Sequence, residues 1–176
     1  MNAILPRLVR NWQAARFLPD LLQSIFVAEL LVPSEELWLV SPWISDIPII
    51  NNEAGEFSSL VPEWDRAPIR LSQVLHYLVE HFAHIYIATR AEEHNKPFLQ
   101  ALQKAPQGHI GSLQVQESTL LHEKGLLGRD FFLSGSFNLT FYGISLNDEI
   151  AHLHTNPTIV PENRIAFRER WKEHTV

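Results

Sequence analysis

The side chains whose types and spacing could do chemistry are concentrated in one segment, LHEKGLLGRDFFLSGSFNLTFYGISLNDE. His122 and Lys124 are two residues apart in a predicted strand, so both side chains are expected on one face. Ser136 and Asn138 follow in Gly-Ser-Phe-Asn, and Glu149 comes later, on a separate predicted strand. We expect an imidazole, an ammonium, a hydroxyl, an amide and a carboxylate to converge at one edge of a sheet.

This set of groups suits a displacement reaction at phosphorus. The His122 imidazole is a nucleophile near neutral pH. Lys124 and Asn138 can hold two non-bridging oxygens whose charge changes in the transition state. A carboxylate on the second imidazole nitrogen would fix the tautomer and stabilise the cation. The segment therefore predicts phosphoryl transfer centred on His122.

The elements that must position these groups alternate between strands and helices along the chain. The predicted strands are residues 37–40, 85–88, 113–117, 120–127, 131–135 and 147–154. The predicted helices are within residues 1–32 and at residues 69–82, 92–104 and 161–174, and residues 44–68 form a long irregular loop. Such alternation predicts an α/β sandwich, and a hairpin turn at residues 128–130 makes the sheet mixed rather than purely parallel.

The chain is expected to fold as one domain. Its 176 residues, with 45% hydrophobic and 19% charged residues, suit a single globular core. We divide it into a helical N-terminal segment at residues 1–32, a core at residues 33–155 and a C-terminal helix at residues 156–176. No stretch approaches the roughly 18 uncharged apolar residues that would span a bilayer, and no signal peptide is predicted.

The chemical segment resembles the HKD motif of the phospholipase D superfamily. That motif consists of H-x-K, an aspartate about five residues later, G-S-x-N and a later glutamate. His122, Lys124, Ser136, Asn138 and Glu149 fall on the motif positions. The resemblance implies a phospholipase D-like α/β/α sandwich around a mixed β-sheet. It also implies a phosphodiesterase that forms a phosphohistidine intermediate and needs no metal or cofactor.

A second stretch supports the resemblance, and two departures qualify it. Residues 37–43, an apolar run followed by Ser-Pro-Trp, are similar to the first core strand of these domains. Arg129 occupies the aspartate position, and Asp130, one place later, is the candidate for that supporting role, with a simple turn residue as its alternative. H-x-K followed by G-S-x-N occurs once, and the resemblance implies that single-motif members pair as homodimers in which one histidine attacks and its mate protonates the leaving oxygen.

The resemblance also implies a substrate class. Small single-motif members act on nucleic acid, chiefly DNA, more than on lipid, which favours an endonuclease. The SPWISD segment, the Asn-containing loop and the tail are similar to the phospholipase D-like component of bacterial DNA-modification and restriction clusters that handle 7-deazapurines. That similarity implies partner proteins, and a rival hypothesis follows from it. The chain would then be a weakly active or inactive binding subunit of a modification or defence complex.

Charge and composition restrict the substrate and the location. A net charge of −6 argues against avid, non-specific binding of nucleic acid, so any basic face must be local. Trp43 is expected in the core rather than on a base-stacking surface. Cysteine is absent, which excludes disulfides and thiolate metal sites and fits a cytoplasmic protein. The residues that could form a local basic rim are Arg66, Arg70, Arg90, Lys96 and Lys104.

Simpler roles exist for several of these residues. His122 could be an inert core histidine, Ser136 and Asn138 could cap a short helix, and Glu149 could be a solvated strand residue. His152 alternates with a further histidine at position 154, which suggests a metal site with Glu149. Strand alternation argues against that metal site because it places Glu149 on the opposite face.

Overall fold

In the computed structural model, the described residues are 7–10, 17–103 and 111–171. The strands are β1 (Arg7–Arg10), β2 (Glu36–Val40), β3 (Pro48–Ile50), β4 (Ile69–Arg70), β5 (His84–Thr89), β6 (Ser112–Glu117), β7 (Gly125–Leu127), β8 (Phe132–Gly135) and β9 (Ile150–His154). The α-helices are α1 (Phe17–Leu31), α2 (Leu71–Glu80), α3 (Lys96–Leu102) and α4 (Ile159–Trp171), and the structure also has a short 3-10 helix at Glu93–Asn95 and a π-helix at Tyr142–Leu146.

One mixed sheet organises the fold, in the order β1–β9–β8–β7–β2–β5–β6. The neighbours β2, β5 and β6 are parallel, and every other neighbouring pair of this sheet is antiparallel. The crossovers between the parallel strands contain α2 and α3, which suits parallel pairing. The predicted α/β sandwich around a mixed sheet is confirmed.

The side chains of β2 alternate between two buried layers. Leu37 and Leu39 pack in the cluster that contains α1, α2 and α3, whereas Trp38 belongs to the cluster that contains α4. Trp38 stacks on Tyr86 of β5 with ring centroids 4.2 Å apart and packs against Phe167 of α4. Burial on both faces explains why β2 is a continuous apolar run. It also fixes the position of the loop that follows β2.

Two predicted strands are shorter in the structure. The strand predicted at residues 120–127 is confined to β7, so His122 and Lys124 precede it rather than lie in it. The register pairs Val40 with Gly125, and β2 ends there because Pro42 has no N–H to continue a ladder. Glu149 likewise precedes β9 instead of lying within it.

The N-terminal prediction was only partly right. The helix α1 is present, with Pro19 in its first turn, but Arg7–Arg10 forms a strand rather than part of a helix. This strand pairs with β9, and Arg7 is opposite Leu153, a contact between distant parts of the chain that local periodicity cannot indicate. The other residues before Phe17 lie outside the described ranges.

The remaining elements follow the predictions closely. The loop predicted at residues 44–68 contains β3, which pairs with β4, and the helix predicted at residues 69–82 therefore begins two residues later, at Leu71. The terminal helix is α4, although residues 172–176 fall outside the described part of the chain. In the described ranges, no helix is both long enough and apolar enough to cross a membrane.

Candidate active site

Four strand ends meet at one edge of the main sheet. The β2–β7 register pairs Val40 with Gly125, which makes Ser41 and Lys124 the next positions outward. The β7–β8 register pairs Gly125 with Ser134, so Lys124 is also next to the end of β8. The start of β9 completes this edge beside Gly135. We call this edge, with the residues His122, Lys124, Ser136, Asn138 and Glu149, the site end.

Ser136 and Glu149 are joined across the ends of β8 and β9. The Ser136 hydroxyl donates to a carboxylate oxygen of Glu149, and the backbone N–H of Ile150 donates to the same hydroxyl at 3.0 Å. The side-chain amide of Asn147 donates to the other oxygen of Glu149 at 3.4 Å. These bonds hold the carboxylate in place, so Glu149 is more than a solvated strand residue.

Close packing of two strands explains why the Gly-Ser-Phe-Asn sequence has a glycine at position 135. A Cβ atom at Gly135 would collide with the carbonyl oxygen of Ile150. The close approach of β8 and β9 brings the Ser136 backbone N–H within 3.0 Å of that same carbonyl. Glycine at this position therefore permits the strand contact that brings Ser136 to Glu149.

Asn138 is tied to the end of β2 by its carbonyl side. The single proton of the Ser41 hydroxyl is shared between the Trp43 carbonyl at 2.9 Å and Asn138 Oδ1 at 3.4 Å. The Nδ2 group of Asn138 has no hydrogen-bond partner among the described residues, so both of its N–H bonds remain available to a ligand. The helix-cap alternative is not supported, because the hydroxyl that accepts from the backbone N–H of Gly143 belongs to Thr140.

His122 and Lys124 lie together before β7. The Lys124 ammonium donates to the backbone carbonyl of His122 at 2.7 Å. The His122 side chain is exposed, and its ring makes no hydrogen bond within residues 17–103 and 111–171, which excludes the inert core alternative. The hydrogen bonds of Glu149 go to Ser136 and Asn147 rather than to His122, so its predicted contact with the ring stays a prediction.

Electrostatics at the site end centre on Lys124. Burial lowers the pKa of the Lys124 ammonium, the negative charge of Glu149 raises it, and the positive charge of Arg90 lowers it further. Arg90 follows β5 directly, and its Nε donates to the carbonyl of Leu121 at 2.7 Å. The sequence named Arg90 only as one of five residues that could form a local basic rim, with a scattered solvated charge as the alternative. Arg90 closely follows a predicted buried strand, and this is the feature of the sequence that could have placed it at the same edge as the end of β2.

Asp130 lies at the other end of the sheet, and its supporting role at the site is therefore corrected. The turn at residues 128–130 follows the three residues of β7, a rise of about 10 Å away from Lys124. The backbone N–H of Arg129 donates to the Ser34 hydroxyl at 2.7 Å, and its guanidinium donates to the Pro33 carbonyl at 2.6 Å. The turn is therefore fixed to the residues that precede β2.

We call this second edge the closed end; its residues are Glu29, Pro33, Ser34, Arg129 and Arg164. Glu29 is 5% exposed and accepts from the backbone N–H of Ser34 at 2.8 Å and from its hydroxyl at 2.7 Å. Burial raises the pKa of Glu29, although the Ser34 hydrogen bonds and the Arg129 charge act against the rise. Arg164 donates to the carbonyls of Gly128 and Arg129, each at 2.7 Å.

The two histidines of β9 do not form a metal site with Glu149. The ring centroids of His152 and His154 are 6.2 Å apart, and His154 also stacks on Phe132. Among the residues that the structure describes, no group of three or more histidine, aspartate or glutamate side chains is placed to hold a metal ion.

Comparison with known proteins shows similarity of structure but not of sequence. The sequence matches no protein-family model and no curated protein. The fold is similar to that of NucT from Helicobacter pylori, with a TM-score of 0.62, 10% identity and coverage of 94% of each chain. It is also similar to Nuc from Salmonella typhimurium, a phospholipase D family member, with a TM-score of 0.59, 12% identity and coverage of 95% of this chain and 93% of that one.

A third solved structure with this fold is a much longer protein. Polyphosphate kinase from Porphyromonas gingivalis matches with a TM-score of 0.58 and 12% identity, over 93% of this chain but 23% of the kinase. At such identities the likeness establishes the fold alone. The chain has a phospholipase D-like α/β/α fold around a mixed sheet, as the motif implied.

Proposed function

We propose that this chain is a metal-independent phosphodiesterase of the phospholipase D superfamily that cleaves nucleic acid, chiefly DNA, as a homodimer. The observation that carries the proposal is the site end itself. His122 and Lys124 precede β7 at the edge where Asn138 is bonded to Ser41 and Ser136 to Glu149. The shared fold adds support, because Nuc is a phospholipase D family member.

The proposed reaction has two displacements at phosphorus. A ring nitrogen of His122 attacks phosphorus, an N–P bond forms, and the P–O bond to the leaving oxygen breaks. The partner subunit's His122 donates a proton to that oxygen. The partner subunit's His122 then deprotonates a water molecule, which attacks phosphorus, breaks the N–P bond and releases the His122 that attacked first. Two histidines are needed, and the sequence supplies one complete motif, H-x-K followed by G-S-x-N, which is the reason to propose a dimer.

The other groups have distinct proposed roles. Lys124 and the Nδ2 group of Asn138 hold non-bridging oxygens, where charge develops in the transition state. The burial that lowers the pKa of Lys124 also strengthens its attraction for a phosphate oxygen. Glu149, held by Ser136, orients the His122 ring and stabilises its positive charge.

A second candidate function is a binding subunit with little or no activity, within a DNA-modification or restriction complex such as those that handle 7-deazapurines. Two observations favour it: Arg129 replaces the aspartate of the motif, and the net charge is −6. The location of Arg129 at the closed end weakens the first of these, since the substitution leaves the site end unchanged.

The test uses purified protein and labelled single- and double-stranded DNA, with and without EDTA. We expect cleavage that survives EDTA, disappears in His122→Ala and is reduced less by Glu149→Gln, which alters orientation rather than the bond-forming atom. Light scattering should show a dimer. Full activity in His122→Ala, or loss on chelation with rescue by a divalent ion, would contradict the proposal. A dimer that is inactive on every DNA would favour the binding subunit.

A further inference from the structure

Arg90 is fixed beside His122 by two contacts. Its Nε donates to the carbonyl of Leu121 at 2.7 Å, and its guanidinium carbon lies 5.3 Å from the centre of the Trp43 ring. A cation at this distance over an indole ring is attracted by the ring electrons. Trp43 is half-buried rather than fully in the core, so this corrects the core expectation for its side chain. The contacts leave the two terminal guanidinium nitrogens without a protein acceptor in the described ranges.

The backbone at Arg90 is held in place by hydrogen bonds from a buried asparagine, Asn95. Asn95 has no exposed surface. Its amide nitrogen donates to the carbonyls of Pro42 and Arg90, at 3.0 and 2.8 Å. Its amide oxygen accepts from the backbone N–H of Ile44 at 2.9 Å. Asn95 thus ties the loop after β2, which contains Trp43, to the loop after β5, which contains Arg90.

The charge of Arg90 has no carboxylate partner in residues 17–103 and 111–171. By contrast, Arg168 pairs with Glu36 and Arg170 with Glu123. The sequence contains 20 acidic and 14 basic residues, yet no described carboxylate pairs with Arg90, and its charge opposes that of the neighbouring Lys124. Such an arginine is suited to an anion from outside the protein.

Arg90 and Lys124 flank His122 at separate positions. The carbonyls that they bond, those of Leu121 and His122, belong to the two peptide groups on either side of the His122 α-carbon. The backbone positions of the two cations are separated by two strand spacings, about 10 Å, because β2 lies between β7 and β5. Because the two side chains reach His122 from different strands, each of them can contact its own phosphate of one polynucleotide chain.

We propose that Arg90, held by Trp43 and the Leu121 carbonyl, binds the phosphate next to the scissile one in a polynucleotide. The inference rests on the proposed function, and it makes the substrate a polymer with a flanking phosphate. The planar guanidinium retains two nitrogens for phosphate oxygens, a geometry that lysine cannot reproduce.

Binding provides a test that is independent of turnover. In the His122→Ala protein, Arg90→Gln should weaken the anisotropy-measured affinity for a fluorescent single-stranded oligonucleotide about 10-fold, and it should reduce the slope of log K against log salt by about 0.7. Arg168→Gln, which removes the same charge beside Glu36 at the start of β2, is the matched control and should change neither. Equal effects of the two substitutions, or no oligonucleotide binding before substitution, would overturn the inference.

Turnover distinguishes the flanking phosphate from the scissile one. In the otherwise unaltered protein, Arg90→Gln should lower kcat/KM for the oligonucleotide about 10-fold more than it lowers kcat/KM for bis(p-nitrophenyl) phosphate, which has one phosphate. Equal losses on both substrates would place Arg90 at the scissile phosphate and overturn the inference. If neither substrate is cleaved while binding depends on Arg90, the proposed chemistry fails and the phosphate site stands.

Discussion

The two ends of the main sheet use polar side chains in opposite ways. At the closed end, Glu29 is bonded twice to Ser34, and Arg129 donates to the Pro33 carbonyl. At the site end, Asn138 keeps a free amide nitrogen and Arg90 lacks a carboxylate, as far as the described residues extend. Buried polar groups in proteins are normally satisfied, so the closed end contributes to stability. At the site end, the donors of Asn138 and Arg90 that lack a protein partner indicate that a ligand binds there.

The comparison explains why one departure from the motif need not affect the chemistry. Arg129 replaces an acidic residue at the end of the sheet that faces away from Lys124. There its charge is near the buried Glu29 and opposes the rise in the pKa of that carboxyl. We expect substitutions at the closed end to change stability and substitutions at the site end to change turnover.

The largest effect that separates the two ends is expected from Lys124→Ala. Removing this ammonium should lower kcat on labelled DNA at least about 100-fold, the scale of a lost transition-state charge contact, with little change in the free energy of unfolding. Lys96→Ala is the control, because Lys96 is exposed and, among the residues that the structure describes, pairs with Glu93 alone. A loss below about 10-fold would mean that Lys124 does not contact the reacting phosphate.

The smaller effect is expected from Arg129→Asp, which restores an aspartate at the motif position. It should lower the free energy of unfolding by about 1–3 kcal/mol, because the Pro33 carbonyl loses its donor and a second negative charge approaches Glu29. Urea unfolding measures this loss, and kcat should stay unchanged. A large change in kcat with unaltered stability would instead connect the closed end to the chemistry.

Glu29→Gln, introduced into the Arg129→Asp protein, is the control for the charge effect. It should recover part of the loss in stability, because the repulsion between positions 29 and 129 disappears.

A pH dependence of stability is also expected from Glu29. Burial raises the folded-state pKa of Glu29 above 4.5, so the folded protein retains this proton more strongly than the unfolded chain. Stability from this group is therefore greatest at low pH and declines as pH rises through the folded-state pKa, and Glu29→Gln should remove that decline.

Sequence reasoning was most successful where the pattern is local. The apolar run at residues 37–40 and the spacing of His122 and Lys124 from Ser136 were enough to predict β2, the fold class and a candidate site. The strand at Arg7–Arg10 was missed because its partner β9 is far away in the chain. The position of Arg90 beside His122 was not predicted for the same reason, since Arg90 reaches His122 through the parallel pairing of β2 with β5.

The most direct test of the proposed chemistry is to trap the covalent intermediate on His122. Wild-type protein mixed with a short oligonucleotide, quenched rapidly in base and digested, should give a peptide in which His122 carries a phosphoryl-linked nucleotide fragment, detected by mass spectrometry. The same peptide from His122→Ala should carry none. Turnover with no adduct at any quench time, or an adduct on a different residue, would contradict the claim that His122 is the nucleophile.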